Sequence, residues 1–217
     1  IINDELKEQV LNDGGHFELS PMYHAIFLED LLDLINIYRA YSKDFEKTQL
    51  NEWVKTAKKM LKWLASMTHP DGDIAFFNDA ALEIAPNLDE LKKYAQRLQI
   101  NHISEKFNQI THLSDSGYIR YDYNDVIGLL DIALIGPDYQ PGHAHADTLS
   151  FELSLFGQRL LVNSGTSEYG IGPVRQYERS TKAHNTVVVN DENSSEVWSG
   201  FRVARRAYPF NIKNEEL

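Results

Sequence analysis

The 217-residue chain carries 21 Lys and Arg against 32 Asp and Glu, a net charge of −11, with 42% hydrophobic and 24% charged residues. This is ordinary globular composition, and the negative charge gives no overall pull toward nucleic acid or an acidic polymer, so an acidic ligand would need a local basic patch. Without cysteine there are no disulfides and no thiolate metal sites, and no run of about 18 apolar residues marks a membrane span.

The chain opens on Ile1 and closes on "NEEL" soon after a strand-like run, and reads as a segment of a longer protein. Its first part has helical periodicity. "NDELKEQVL" ends a short helix at "NDGG". Ser20 before Pro21 is an N-cap followed by proline at the first helical position. Leu28, Leu31, Leu32, Ile35 and Tyr38 then form one apolar stripe. Leu50, Trp53, Val54, Ala57, Met60, Leu61 and Leu64 form a second, which "THPDGD" stops with Pro and Gly. "APNLDELKKYAQRL" is a third, shorter helix starting near Pro86 and Asn87. The helix-loop-helix rhythm suits a bundle or an α/α toroid.

Beyond Phe107 the pattern changes to short runs rich in β-branched and aromatic residues: "GYIRYDY", "VIGLLDIALI", "DTLSFELSLF", "QRLLVN" and "NTVVVN". "SLFGQRLLV" predicts a hairpin about Gly157. In "TLSFELSLF", Leu149, Phe151, Leu153 and Leu155 share one face, read as the core side. Ser150, Glu152 and Ser154 share the other, read as the wet side. The expected fold is α+β in two units, helical over residues 1–105 and antiparallel β-sandwich, incomplete, over 106–217.

Among the eight histidines, His69, His102 and His112 read as surface residues. His143 and His145 in "PGHAHADTLSFEL" sit two apart at a strand entry, a spacing that suits a metal chelate completed from a neighbouring strand. Strand-end histidines held by hydrogen bonds are the alternative, and spacing alone leaves both open. His184 stands at the entry to "NTVVV". Asp147 reads as a turn cap, and Asn163 as a strand-ending turn residue. Tyr23 occupies the first turn of a helix behind a Gly-rich loop. The partial positive charge there can lower a phenol pKa for proton transfer, although packing against the next helix is the plainer reading. Arg175, Arg179 and Lys182, with Arg202, Arg205 and Arg206, form a local basic cluster that is either an anion site or a solvated face.

Together, "DGGHFELSPMYH", "FFNDA", "GHAHADTLSFEL", "RLLVNSGTSEYG", "RSTKAHNTVVVN" and "EVWSGFRVARRA" resemble the heparinase II/III-like family, bacterial polysaccharide lyases that include heparin/heparan lyases and related alginate lyases. The resemblance runs in order over nearly the whole chain. It implies the C-terminal part of an (α/α) toroid followed by the first part of an antiparallel β-sandwich. It also implies β-elimination on a uronate-containing acidic polysaccharide, and a periplasmic or secreted location. By resemblance, Tyr23 and His143 are catalytic, while His145, the residue at 163 and His184 form a largely structural zinc site. Arg175 and Arg179 are candidates for binding uronate or sulfate. Related sequences often carry Asp where this chain has Asn163, and a neutral amide oxygen is the weaker zinc donor. The residue that neutralises the substrate carboxylate lies upstream of this chain in the family. The alternatives are an oligo-alginate lyase of the same fold, a non-catalytic glycan-binding module, and a structural β-domain whose histidines only pack.

Overall fold

The computed structural model describes residues 1–41, 47–101 and 106–213, so His102 and the boundary expected after residue 105 lie outside the described residues. Four helices come first: α1 (Ile2–Gln9), α2 (Pro21–Ala40), α3 (Lys47–Ser66) and α4 (Leu88–Arg97). Ser20 caps α2 by accepting the Tyr23 N–H at 3.2 Å, with Pro21 at the first position. Asn87 and Glu90 close a reciprocal capping box on α4. The expected stripe of α2, Leu28 to Tyr38, is wholly buried against Trp53, Ala57, Met60, Leu61 and Leu64 of α3 and Leu88, Leu91 and Ala95 of α4. Each buried Leu or Ile contributes about 1.5–3 kcal/mol, so this three-helix contact carries most of the stability of the helical part.

An antiparallel meander follows, with order β1-β2-β3-β4-β5. The strands are Ile110–Leu113, Tyr118–Tyr123, Val126–Asp131, Phe151–Leu155 and Gln158–Leu161. The predicted β4–β5 hairpin is present. Phe156 and Gly157 turn it with φ of 51° and 78°, the paired positive values that match strand twist. A short helix α5 (Pro173–Glu178), a 3-10 turn (Thr181–Ala183) and a small ladder of β6 (Val197–Trp198) with β7 (Arg202–Val203) complete the described chain. The "NTVVVN" run is not a ladder strand. Only Val189 makes an isolated bridge, to Glu192, and Val187 and Val189 are exposed, because no neighbouring strand among the described residues pairs with them.

The faces of β4 are the reverse of the sequence expectation. Ser150, Glu152 and Ser154 are buried, whereas Leu149 and Phe151 are exposed and Leu153 and Leu155 only half-buried. The polar face docks on the helical part. His69 bonds Ser154 Oγ at 2.7 Å and Glu152 Oε2 at 2.8 Å, and Glu152 Oε1 accepts the N–H groups of Phe76 and Asn163. Partners for Glu152 and Ser154 offset the cost of burying them, although the Ser150 hydroxyl is left without one, and alternation alone cannot say which face will find partners. His69 is thus a buried interface residue, not a surface one, while His112 is exposed as expected. Helices and sheet also share one apolar cluster: Leu19, Trp63, Met67 and Phe77 pack with Leu113, Tyr118, Leu129 and Ala133.

Candidate active site

The segment Phe76 to Ala80 joins the helical part to the histidine loop. Asn78, at φ 56°, donates through Nδ2 to the Leu19 carbonyl at 3.0 Å and accepts the His145 N–H on Oδ1 at 3.1 Å. The Asp79 N–H donates to the His143 carbonyl at 3.0 Å, and Ser20 Oγ donates to the Asp79 carbonyl at 2.5 Å. The α2 cap and the "GHAHAD" loop are therefore fastened through the same two residues.

That clamp brings Tyr23 and His143 together. Their rings stack at 3.9 Å between centroids with planes 14° apart. His143 Nδ1 lies 2.8 Å from Glu18 Oε2, and the Tyr23 hydroxyl lies 2.8 Å from the Tyr169 hydroxyl. Tyr169 stacks on Phe201, and the Arg175 guanidinium lies over both rings at 5.3 and 5.4 Å. The phenol pKa of Tyr23 is raised, not lowered as the helix N-terminus suggested. Burial is the main cause, the Asp79 and Glu18 carboxylates add to it, and the first-turn N–H of Tyr23 is directed to Ser20. Tyr169 is pushed further up, again chiefly by burial, then by its bond to Tyr23. Tyr23 is thus a protonated phenol at neutral pH, suited to give a proton before taking one.

Asp79 is the buried electrostatic centre. It accepts from His145 Nε2 at 2.7 Å, Thr166 Oγ1 at 2.9 Å and both terminal nitrogens of Arg175, Nη2 at 2.8 Å. Burial alone would raise its pKa, but the bonds from His145 and Arg175 outweigh that and hold it at about 2. Arg175 and Arg179 are accordingly not surface cations: both are fully buried. Arg175 pairs with Asp79 and the Gly200 carbonyl, and Arg179 ties the carbonyls of Ala144, Ser199 and Arg202. Three more of the basic cluster form ion pairs, Lys182 with Asp191, Arg205 with Glu196 and Arg206 with Asp138.

The expected zinc ligands converge in part. His145 Nδ1 and His184 Nε2 face each other at 3.1 Å. The outer nitrogens are bound to groups that only accept, Asp79 for His145 and the Ser180 carbonyl, at 2.8 Å, for His184. With an N–H toward each acceptor, two lone pairs meet, and that arrangement needs a proton or a cation between them. Asn163 does not complete the set. Its Oδ1 accepts the Asn185 N–H at 3.0 Å, and its Nδ2, which has no lone pair to give, is buried without a partner. Among the described residues no group of three His, Cys, Asp or Glu side chains could hold a metal. The residues present therefore do not fit a three-donor zinc site. Asp147, buried beside them, bonds its own backbone N–H, as expected of a turn cap, and also accepts the remote Asn78 N–H at 3.3 Å.

Glu18, Asp79 and Tyr169 had no role in the sequence reading. Their only signal was a place inside the matched motifs, because each acts across more than 60 residues of chain.

With helices leading into an antiparallel sheet and a tyrosine stacked on a loop histidine, the chain belongs to the heparinase II/III-like family. The heparinase II/III N-terminus profile matches residues 1–106, and the heparinase II/III-like, C-terminal profile matches residues 107–216. Among curated proteins it is similar to a heparin-sulfate lyase of Bacteroides stercoris, 30% identical over 210 residues, and to one of Pedobacter heparinus, 26% identical over 221 residues. Each match covers 89% of this chain but 31% of the relative, so the chain spans about a third of their length. The fold resembles the crystal structure of heparan sulfate lyase HepC from Pedobacter heparinus, with TM-score 0.69, 23% identity and coverage of 89% of this chain and 32% of that one.

Proposed function

We propose that this chain is part of a polysaccharide lyase that cleaves a uronate-containing acidic glycan of the heparin/heparan type by β-elimination. The observation that carries the reading is the Tyr23–His143 stack with the Tyr23 hydroxyl held by Tyr169. In that reaction a base removes the C5 proton of the uronate, the electron pair forms the C4–C5 double bond, and the C4–O bond breaks with a proton delivered to the departing oxygen. Tyr23, protonated and half-buried, is the proton donor to that oxygen, and the C5 proton passes to a base other than the protonated phenol. His143 is the proton-transfer partner, or holds the charge that develops. The heparin-sulfate lyase names of the relatives support the substrate class. The oligo-alginate and non-catalytic alternatives have no observation in their favour here.

In this reading neither Arg175 nor Arg179 neutralises the substrate carboxylate. Among the described residues Arg175 and Arg179 are buried and committed, and the cavity of about 370 Å³ beside Tyr23 is lined by Glu5, Glu8, Glu18 and Asp30. In the same reading the helices are the C-terminal portion of an (α/α) toroid, the sheet begins a β-sandwich whose second layer covers Phe151 and Leu153, and the protein is exported. The test is ultraviolet absorbance of the unsaturated uronate product from full-length protein and heparan-type polymers. Tyr23→Phe should lower kcat by about 100-fold or more with little change in KM. Wild-type activity undiminished in Tyr23→Phe would remove the tyrosine from the chemistry, and no product from any uronic polymer would end the lyase reading.

A further inference from the structure

We propose that Glu18 is the positioning residue of His143, fixing its tautomer so that Nε2 is the atom turned to the substrate, a role that rests on the lyase reading of the Tyr23–His143 pair. A carboxylate only accepts, so the 2.8 Å contact between Glu18 Oε2 and His143 Nδ1 places the hydrogen on Nδ1. Both side chains are largely shielded, Glu18 11% and His143 21% exposed, and no Lys or Arg among the described residues pairs with Glu18. Further contacts steady His143. Tyr23 covers one face, Phe201 meets the ring edge-on at 6.4 Å, and the Asp79 N–H holds the His143 carbonyl.

The turn that carries Glu18 is built for this placement. Leu19 is buried at φ 60°, a left-handed conformation that a leucine rarely adopts. It is held there from both sides. The Leu19 N–H donates to the His16 carbonyl at 2.9 Å, and its own carbonyl accepts from Tyr118 Oη at 2.7 Å and Asn78 Nδ2 at 3.0 Å. The strained residue lies between Glu18 and the cap of α2, so one turn sends the carboxylate to the imidazole edge and Tyr23 to its face. An Asp or Gln at 18 could still accept from Nδ1. Alanine could not.

The experiment uses full-length protein carrying Glu18→Ala, Glu18→Gln, His143→Ala and the Glu18→Ala/His143→Ala pair, with kcat, KM and thermal midpoint measured for each. Glu18→Ala should lower kcat about 10–100-fold with KM within about twofold of wild type. Glu18→Gln should lose less. The double variant should be no slower than His143→Ala alone, because Glu18 acts through that ring. Nitrogen-15 spectra of histidine-labelled protein, with His143 assigned by its own variant, should show Nδ1 carrying hydrogen in the wild type and a tautomer mixture in Glu18→Ala. The proposal is overturned by a kcat within about twofold of wild type in Glu18→Ala, by a change confined to KM, by further slowing of His143→Ala, or by a wild-type ring with a bare Nδ1. Should Glu18→Ala fail to fold, Glu18→Gln and the wild-type spectrum decide. A wild type that forms no product sinks the lyase reading, while the spectrum still judges Glu18.

Discussion

Asp79, Arg175 and Arg179, three of the side chains that shape the site, are charges that never reach solvent. Arg175 and Arg179 illustrate why sequence misjudges them. Arginines in an acidic chain read as an anion patch, but a guanidinium with five donors can be saturated internally, and here carboxylate and carbonyl groups from distant segments do so. Tyr23 and His143 were singled out by the family resemblance, because helix position alone reads Tyr23 as a packing residue and spacing alone does not separate His143 from His145. Their partners Glu18, Asp79 and Tyr169 were not, since no local pattern encodes a contact between remote segments. At this scale Asn163 is the informative departure. Asn163→Asp keeps an oxygen for the Asn185 N–H and gains a second, charged one. The variant should bind about one zinc per chain, where the wild type purifies with clearly less. Metal analysis of both proteins, with His145→Ala as control, checks this. Equal stoichiometric zinc in wild type and Asn163→Asp would show that the amide ligates after all.

Elements were read with uneven success, for a physical reason. Helices α2 and α3 follow from one apolar stripe each, a pattern that needs no knowledge of the partner. The β4–β5 hairpin followed from a single glycine. Alternation in β4 gave the correct strand but not the burial of its polar face, because Glu152 and Ser154 found His69 and backbone donors across the interface. A further consequence concerns the β1–β2 turn. Gly117 stands at φ 78°, and a Cβ there would meet the Ala133 Cα at 2.5 Å. Gly117→Ala should therefore destabilise the chain by about 1–3 kcal/mol, from left-handed strain and from displacing the end of β3. Urea unfolding with an unchanged m-value would report it. A loss under about 0.5 kcal/mol would mean that the turn relaxes freely.

Across the whole molecule, the shared cluster of Trp63, Phe77, Tyr118 and Leu129 makes helices and sheet unfold together. Buried histidines should make that transition acid-sensitive. Burial lowers His24 to about 3 and His16 to about 4. A histidine lowered on folding adds stability that is complete above its unfolded value near 6.5 and is lost as pH falls toward the folded value. Asp131 and Asp147, raised by burial, act in the opposite sense, so the difference between proteins is the clean readout. Between pH 6 and 4 the stability of His24→Gln should fall less steeply than wild type, by up to about 1.4 kcal/mol per pH unit. Denaturant midpoints followed by tryptophan fluorescence and far-ultraviolet circular dichroism should agree at each pH. Parallel pH profiles would mean that His24 is protonated in the fold.

Asp79 also constrains how such a protein can drift. Its carboxylate answers an imidazole, a hydroxyl and a guanidinium together, so its loss would strand a buried cation at a cost of about 3–5 kcal/mol. Substituting any one of Asp79, His145 and Arg175 should therefore cost more than substituting them together. Asn163, neutral and bonded through its Oδ1 to one backbone N–H, carries no charge whose partner its replacement would orphan, so the fold tolerates change there far better than at Asp79.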